Sequence, residues 1–274
     1  MQKMTNRELQ LFCLDILKDV HSFCEKNEIT YSLAYGTLLG AVRHKGFIPW
    51  DNDIDICMPR PDYERFVKNY ESKNYQLAYF GNNSKRDCLI SFARVFDDKK
   101  TIAKNSFWAA KDTGVWIDVF PLDGVSDSRD DFVETYDKMK KEWVNLLHKR
   151  VQYKYFSRAN TFRIKWNFFA RKIAFFNGLG GHGLQKKYIE EMQKIPFDSA
   201  KYWSQLAVMD NGPVEYMPKD AFSKCLLMNF EDASFFVMNG YHENLKAVYG
   251  DDYMIPPPEG KRTVHDAIIE YYWK

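Results

Sequence analysis

The chain has 274 residues, 45% of them hydrophobic and 16% aromatic, enough to bury a substantial core in one large domain or in a core with an elaboration. A formal net charge of +2 is too small for bulk electrostatics to drive nucleic-acid binding, and no recognisable DNA- or RNA-binding module accompanies it. The five cysteines (Cys13, Cys24, Cys57, Cys88 and Cys225) are odd in number and lack a C-x-x-C pair, which speaks against a disulfide framework or a zinc site.

The first 29 residues read as an amphipathic helix with apolar Leu9, Phe12, Leu14, Ile16, Leu17 and Val20. They lack signal-peptide anatomy, and no apolar run in the chain is long enough to span a bilayer, so the expected location is cytoplasmic. Tyr31–Tyr35 then reads as a short strand running into Gly36-Thr37, and Leu38–Arg43 as a short helix. Gly36 permits a tight turn, Thr37 is a good N-cap, and a helix N-terminus with free N–H groups suits an anion. Gly-Thr alone is weak evidence, because many helices begin this way for structural reasons.

Asp53 and Asp55 alternate with Ile54 and Ile56. In a strand both carboxylates would project one way and both isoleucines the other. Two like charges about 6–7 Å apart on one face repel each other unless a cation lies between them. Mg²⁺, with Mn²⁺ as substitute, suits such an all-oxygen site. The alternative is a solvated edge strand whose aspartates discourage aggregation.

A helix is expected from about Pro61 to Lys73, followed by strands near 75–80 and 88–96, the latter carrying Arg94. Asp118 interrupts the apolar run Gly114–Phe120 and is a candidate third metal ligand or proton acceptor. Asp123, between Pro121 and Gly124, reads more simply as a turn residue. From Asp130 to about Gln193 the pattern is helical. Within 138–172 many Lys and Arg residues interleave with aromatics, which suits either a peripheral membrane contact or aromatics packed on the core beneath a solvated basic face. Beyond about Phe197 short elements mix, and Pro256–Pro258 ends regular structure.

These elements predict an α+β fold, a mixed sheet covered by helices with a helical elaboration. The expected division is a catalytic core at 1–125, a basic aromatic helical insertion at 126–205, and a C-terminal segment at 206–274 that completes the active site. Arg43, His44, Arg94, Lys261, Arg262 and His265 are candidates to contact donor phosphates; any one of them would serve equally as a structural ion pair. Trp50 could stack on a base or headgroup, or hold the aspartate loop as a core aromatic.

Three stretches, GTLLGAVRHKGFIPWDNDIDICMPRPDYERF (36–66), WIDVFPLDG (116–124) and YGDDYMIPPPEGKRTVHD (249–266), resemble the LicD family of bacterial phosphocholine transferases, which is similar to the fukutin-type phosphoribitol transferases of animals. The resemblance spans most of 28–125 and again about 222–266. It implies a nucleotidyltransferase fold with a divalent metal at Asp53 and Asp55, joined by Asp118, and the Gly36-Thr37 turn beside it. It further implies transfer of a phospho-alcohol, phosphocholine first among them, from a CDP-activated donor such as CDP-choline. The acceptor would be a hydroxyl of a lipid-linked cell-surface glycan precursor (teichoic acid, capsule or lipopolysaccharide), with release of CMP. Choline would favour an aromatic cage, for which Tyr35, Trp108, Trp116 and Tyr253 are candidate walls. Asn52 departs from the Asp common there in the family and, having the opposite strand parity, is expected outside the metal shell. Nucleotidyl transfer on the same aspartates, and a non-catalytic glycan- or membrane-binding role, are the alternatives.

Overall fold

A computed structural model describes residues 1–81, 90–104, 113–156, 181–262 and 269–274, with the side chains of 147–156, 181–182 and 261 outside that description. Helix α1 (Asn6–Lys26) opens on a capping box in which Thr5 Oγ1 accepts from the Glu8 N–H and the Glu8 carboxylate accepts from the Thr5 N–H. The apolar stripe expected from the sequence is buried along it.

The main sheet runs β1 (Ser32–Leu33), β2 (Asp55–Pro59), β6 (Trp116–Val125), β4 (Ala93–Phe96) and β3 (Gln76–Ala78). The β2–β6 pair is parallel and the other pairs are antiparallel, so the sheet is mixed as predicted. The far half of β6 continues through β7 (Tyr202–Ser204) to β8 (Met217–Pro218). Two smaller pairs complete the strands: β5 (Thr101–Lys104) with β11 (Glu270–Trp273), and the hairpin of β9 (Cys225–Phe230) and β10 (Ala233–Met238). The remaining helices are α2 (Tyr35–His44), α3 (Arg60–Asn69), α4 (Arg129–Phe156), α5 (Gly181–Met192) and α6 (Tyr241–Tyr249). The α+β class follows.

Strand alternation divides the core between the two faces of the sheet. Ile54, Ile56, Met58, Ile117 and Val119 pack with α1 and the β9–β10 hairpin on one side. Cys57, Trp116, Phe120 and Leu122 pack with α4, α5 and Trp203 on the other. Within the basic aromatic segment, Trp143 and Leu146 are buried in this second core while Lys138 and Lys141 are exposed, the arrangement of a packed helix with a solvated face. Residues 157–172 lie outside the described residues. Among the described residues no helix is long and apolar enough to cross a membrane.

Several expected boundaries move. The strand expected at Tyr31–Tyr35 keeps only Ser32–Leu33, because Tyr35 already begins α2. Helix α3 ends at Asn69, four residues short of Lys73, and of the strand expected over 88–96, whose residues 88–89 lie outside the described residues, the described part is paired from Ala93 to Phe96. Asp123 is no turn residue: it sits inside β6, fully buried, and both its oxygens accept from the Arg60 guanidinium at 2.7 Å. The Pro121 and Gly124 signals are overridden by this pairing, which ties α3 to the centre of the sheet.

Candidate active site

Strand register assembles the site. In the β2–β6 ladder Asp55 lies opposite Asp118, and in the β6–β4 ladder Asp118 lies opposite Arg94. Residues opposite one another project to the same face, so these three charged side chains stand in one row across three strands. Arg94 donates from Nε to Asp118 Oδ1 at 2.6 Å and from Nη2 to Oδ2 at 3.2 Å. Its guanidinium also lies over the Trp116 ring, 4.5 Å from the centroid, which fixes the plane in which it grips Asp118. The structure thus places Arg94 at the site as the partner of Asp118.

Asp53 sits two residues before the first residue of β2 rather than within the ladder, but the carbonyl of Ile54 accepts the Asp118 N–H at 3.0 Å and pins the segment to β6. Ile54 and Ile56 are fully buried while Asp53 and Asp55 are not, which is the expected alternation. Burial, followed by Asp55, Asp51 and Asp118, holds the Asp53 carboxyl well above the usual carboxylate range, and Asp51 also shares a hydrogen bond with it. From beneath, the Cys13 thiol of α1 is pushed up by burial and then by Asp53, Asp118, Asp51 and Asp55. Four carboxyl groups therefore share one neighbourhood, with Arg94 opposing them from one end of the row.

Among the described residues no three His, Cys, Asp or Glu side chains converge into a ready-made metal cage. The donor set nevertheless fits Mg²⁺ or Mn²⁺, since Mg²⁺ commonly takes only one or two protein carboxylates and completes its shell with water and phosphate oxygens. Asp53 and Asp55 are the two that could hold it.

Helix α2 is clamped to this strand through its first turn. The Ala34 N–H donates to the Asp55 carbonyl at 3.0 Å, and the Asp55 N–H donates to Thr37 Oγ1 at 2.9 Å. Thr37 is therefore not the N-cap, a position held by Ala34 with no side-chain hydrogen bond. The left-handed residue at the turn is Tyr35, with φ of 46°, and not Gly36. Gly36 is needed for a different reason: a Cβ there would run into Asp51 Oδ2.

Arg43 and His44 lie at the opposite end of α2, about 15 Å along a ten-residue helix. Arg43 Nη1 donates to the Tyr253 carbonyl at 2.8 Å, and His44 meets Trp50 edge-on at 6.4 Å. Arg262 stacks over Trp50 at 4.6 Å, so Arg43, His44, Trp50 and Arg262 form one patch, and Trp50 adjoins Asp51 in the chain. His265 and Trp108 fall outside the described residues, as does Cys88. Of the remaining candidate cage walls, Trp116 covers Arg94 and the Tyr253 hydroxyl pairs with His242 Nδ1 at 2.6 Å.

Two acids in this region escaped the sequence reading. Asp51 had a signal, since it shares the parity of Asp53 and Asp55. Glu215, buried on the loop before β8, had none: it accepts from the Tyr35 hydroxyl at 3.1 Å and from Asn244 Nδ2 at 3.5 Å, and burial pushes its carboxyl up to about 7.

Residues 28–151 match the model of the LicD/FKTN/FKRP nucleotidyltransferase domain. The Haemophilus influenzae protein named lipopolysaccharide cholinephosphotransferase LicD is 35% identical over 275 residues, covering 97% of each chain. An uncharacterised protein of Rickettsia prowazekii is 37% identical over 95 residues, 33% of this chain and 36% of that one. Another, from Rickettsia typhi, is 37% identical over 67 residues, 23% of this chain and 22% of that one. The likeness to the Haemophilus protein runs almost end to end, through the aspartate row, the α2 turn and the C-terminal elements alike, and on that ground the chain belongs to the LicD family.

Proposed function

We propose that this protein is a metal-dependent phosphotransferase that moves phosphocholine from CDP-choline to a hydroxyl of a cell-surface glycan precursor and releases CMP. The observation that carries the reading is the row of Asp55, Asp118 and Arg94 across three strands, with Asp53 beside it. The choline and the glycan acceptor, of the lipopolysaccharide kind, are supported by the name of the Haemophilus relative.

Asp53 and Asp55 would hold Mg²⁺ against the donor pyrophosphate. When bound, the ion would supply charge neutralisation at the donor pyrophosphate. The first-turn N–H groups of α2, which no side chain caps, would donate to a phosphate oxygen, while the Thr37 hydroxyl, already bound to the Asp55 N–H, keeps that turn in register with the aspartates. Asp118, oriented by the two-point grip of Arg94, takes the proton of the acceptor hydroxyl. The acceptor oxygen–phosphorus bond forms as the phosphorus–oxygen bond to CMP breaks.

Transfer of a nucleotidyl group would use the same aspartates but release pyrophosphate, so product identity separates the two reactions. The test is incubation of the purified protein with Mg²⁺, an acceptor glycan and, in turn, CDP-choline, CDP-ribitol, CDP-glycerol and CTP. CMP released from CDP-choline in step with phosphocholine incorporation is expected. Pyrophosphate released from CTP, with no turnover of any CDP-alcohol, would reject the reading.

A further inference from the structure

Glu215 is 7% exposed, and its hydrogen-bond partners, the Tyr35 hydroxyl and the Asn244 amide, are neutral. Among the described residues no cationic side chain forms an ion pair with it. Burying a carboxylate this way costs several kcal/mol unless a positive charge arrives to offset it. Its surroundings are equally unusual. Tyr35 is held in the left-handed region at φ of 46°, a strain that persists only where neighbouring contacts enforce it, and its ring packs edge-on against Phe120 at 5.6 Å. Asn244 is buried on α6.

From this geometry we infer that Glu215, with Tyr35, seats the quaternary ammonium of the donor headgroup; this rests on the phosphocholine reading above. A trimethylammonium group offers no hydrogen-bond donor, so it is recognised by an opposing charge and by aromatic rings. Glu215 meets that need, because neutral donors already fix its oxygens and leave its charge to be balanced. Tyr35 begins the helix whose first turn is bonded to Asp55, so a headgroup held here belongs to a phosphate held at the aspartates. A neutral polyol headgroup gains nothing from the charge.

The test compares CDP-choline with its uncharged isostere, CDP-3,3-dimethylbutanol, on the wild type and on Glu215→Gln. The wild type is expected to favour CDP-choline by at least about ten-fold in kcat/KM, the scale of a desolvated cation–aromatic and charge contact. In Glu215→Gln that preference should fall to within about two-fold, with the loss for CDP-choline residing mainly in KM. If the Gln variant fails to fold, Glu215→Met serves in its place. A wild type that prefers CDP-choline together with a variant that keeps the preference, or loses both substrates equally, overturns this inference alone. A wild type that turns over both donors equally likewise overturns this inference alone, whereas one with no turnover of CDP-choline overturns the phosphocholine reading and this inference with it.

Discussion

Replacing Asp53 with Asn is expected to stabilise the metal-free protein while abolishing transfer. The Asp53 carboxyl is crowded by Asp55, Asp51 and Asp118 in a buried setting. Two unit charges about 6–7 Å apart interact by about 2–3 kcal/mol at an effective dielectric of about 20. Asn keeps the shape of Asp53 and removes its charge, so a gain of about 2 kcal/mol is expected, or roughly 4–8 °C in Tm for a chain of this size. The assay is thermal unfolding in EDTA and then with increasing Mg²⁺ or Mn²⁺. Metal at one hundred times its Kd should raise wild-type stability by about 2.7 kcal/mol, whereas Asp53→Asn should respond little. A variant less stable than wild type in EDTA, or one with an undiminished metal response, would refute the claim that Asp53 is a charge held in wait for a cation.

Three further outcomes follow from individual contacts. Arg94→Met leaves both Asp118 oxygens without their guanidinium beside other carboxylates, and should cost about 3–5 kcal/mol in urea unfolding; adding Asp118→Asn should recover much of that loss. Arg60→Met strands the buried Asp123 and should cost a similar amount, yet leave the Tm rise on adding Mg²⁺ unchanged, since this pair is structural. Glu215 has a folded-state pKa of about 7 against 4.5 for the free side chain, so the folded protein binds the extra proton between those values. Its contribution is therefore fully present below about pH 4.5 and lost as pH rises through 7. Glu215→Gln should accordingly gain on wild type between pH 5 and 8, by at most about 3 kcal/mol in paired denaturation curves; a gap that does not change with pH contradicts the burial of a titrating acid.

Charges set in apolar surroundings were legible in the sequence. Asp53 and Asp55 stood out by strand parity, and Asp118 by its place in an apolar run; all three lie in one neighbourhood. Their alignment was not legible, because the register of the parallel β2–β6 pair is set by tertiary pairing and not by either strand's own pattern. Thr37 drew attention as a cap, whereas its hydroxyl is consumed by the Asp55 N–H, a partner 18 residues away. Asp123 looked like a turn residue because Pro121 and Gly124 are strong local signals. Only Arg60, 63 residues earlier, makes it a buried strut. Glu215 lay in a stretch with no periodicity, and it becomes distinctive only when Tyr35, 180 residues away, closes on it.

The central claim is that Asp55, set beside Asp118 by strand register, carries phosphocholine transfer. The most direct test is CMP release from CDP-choline, with Mg²⁺ and acceptor, by wild type and Asp55→Asn. The backbone N–H of residue 55 still donates to Thr37 Oγ1 in the variant, so it should fold like wild type. The expected result is one CMP per phosphocholine transferred by the wild type and a loss of at least about 10³-fold in the variant. Wild-type-like CMP release by a folded Asp55→Asn would contradict the account.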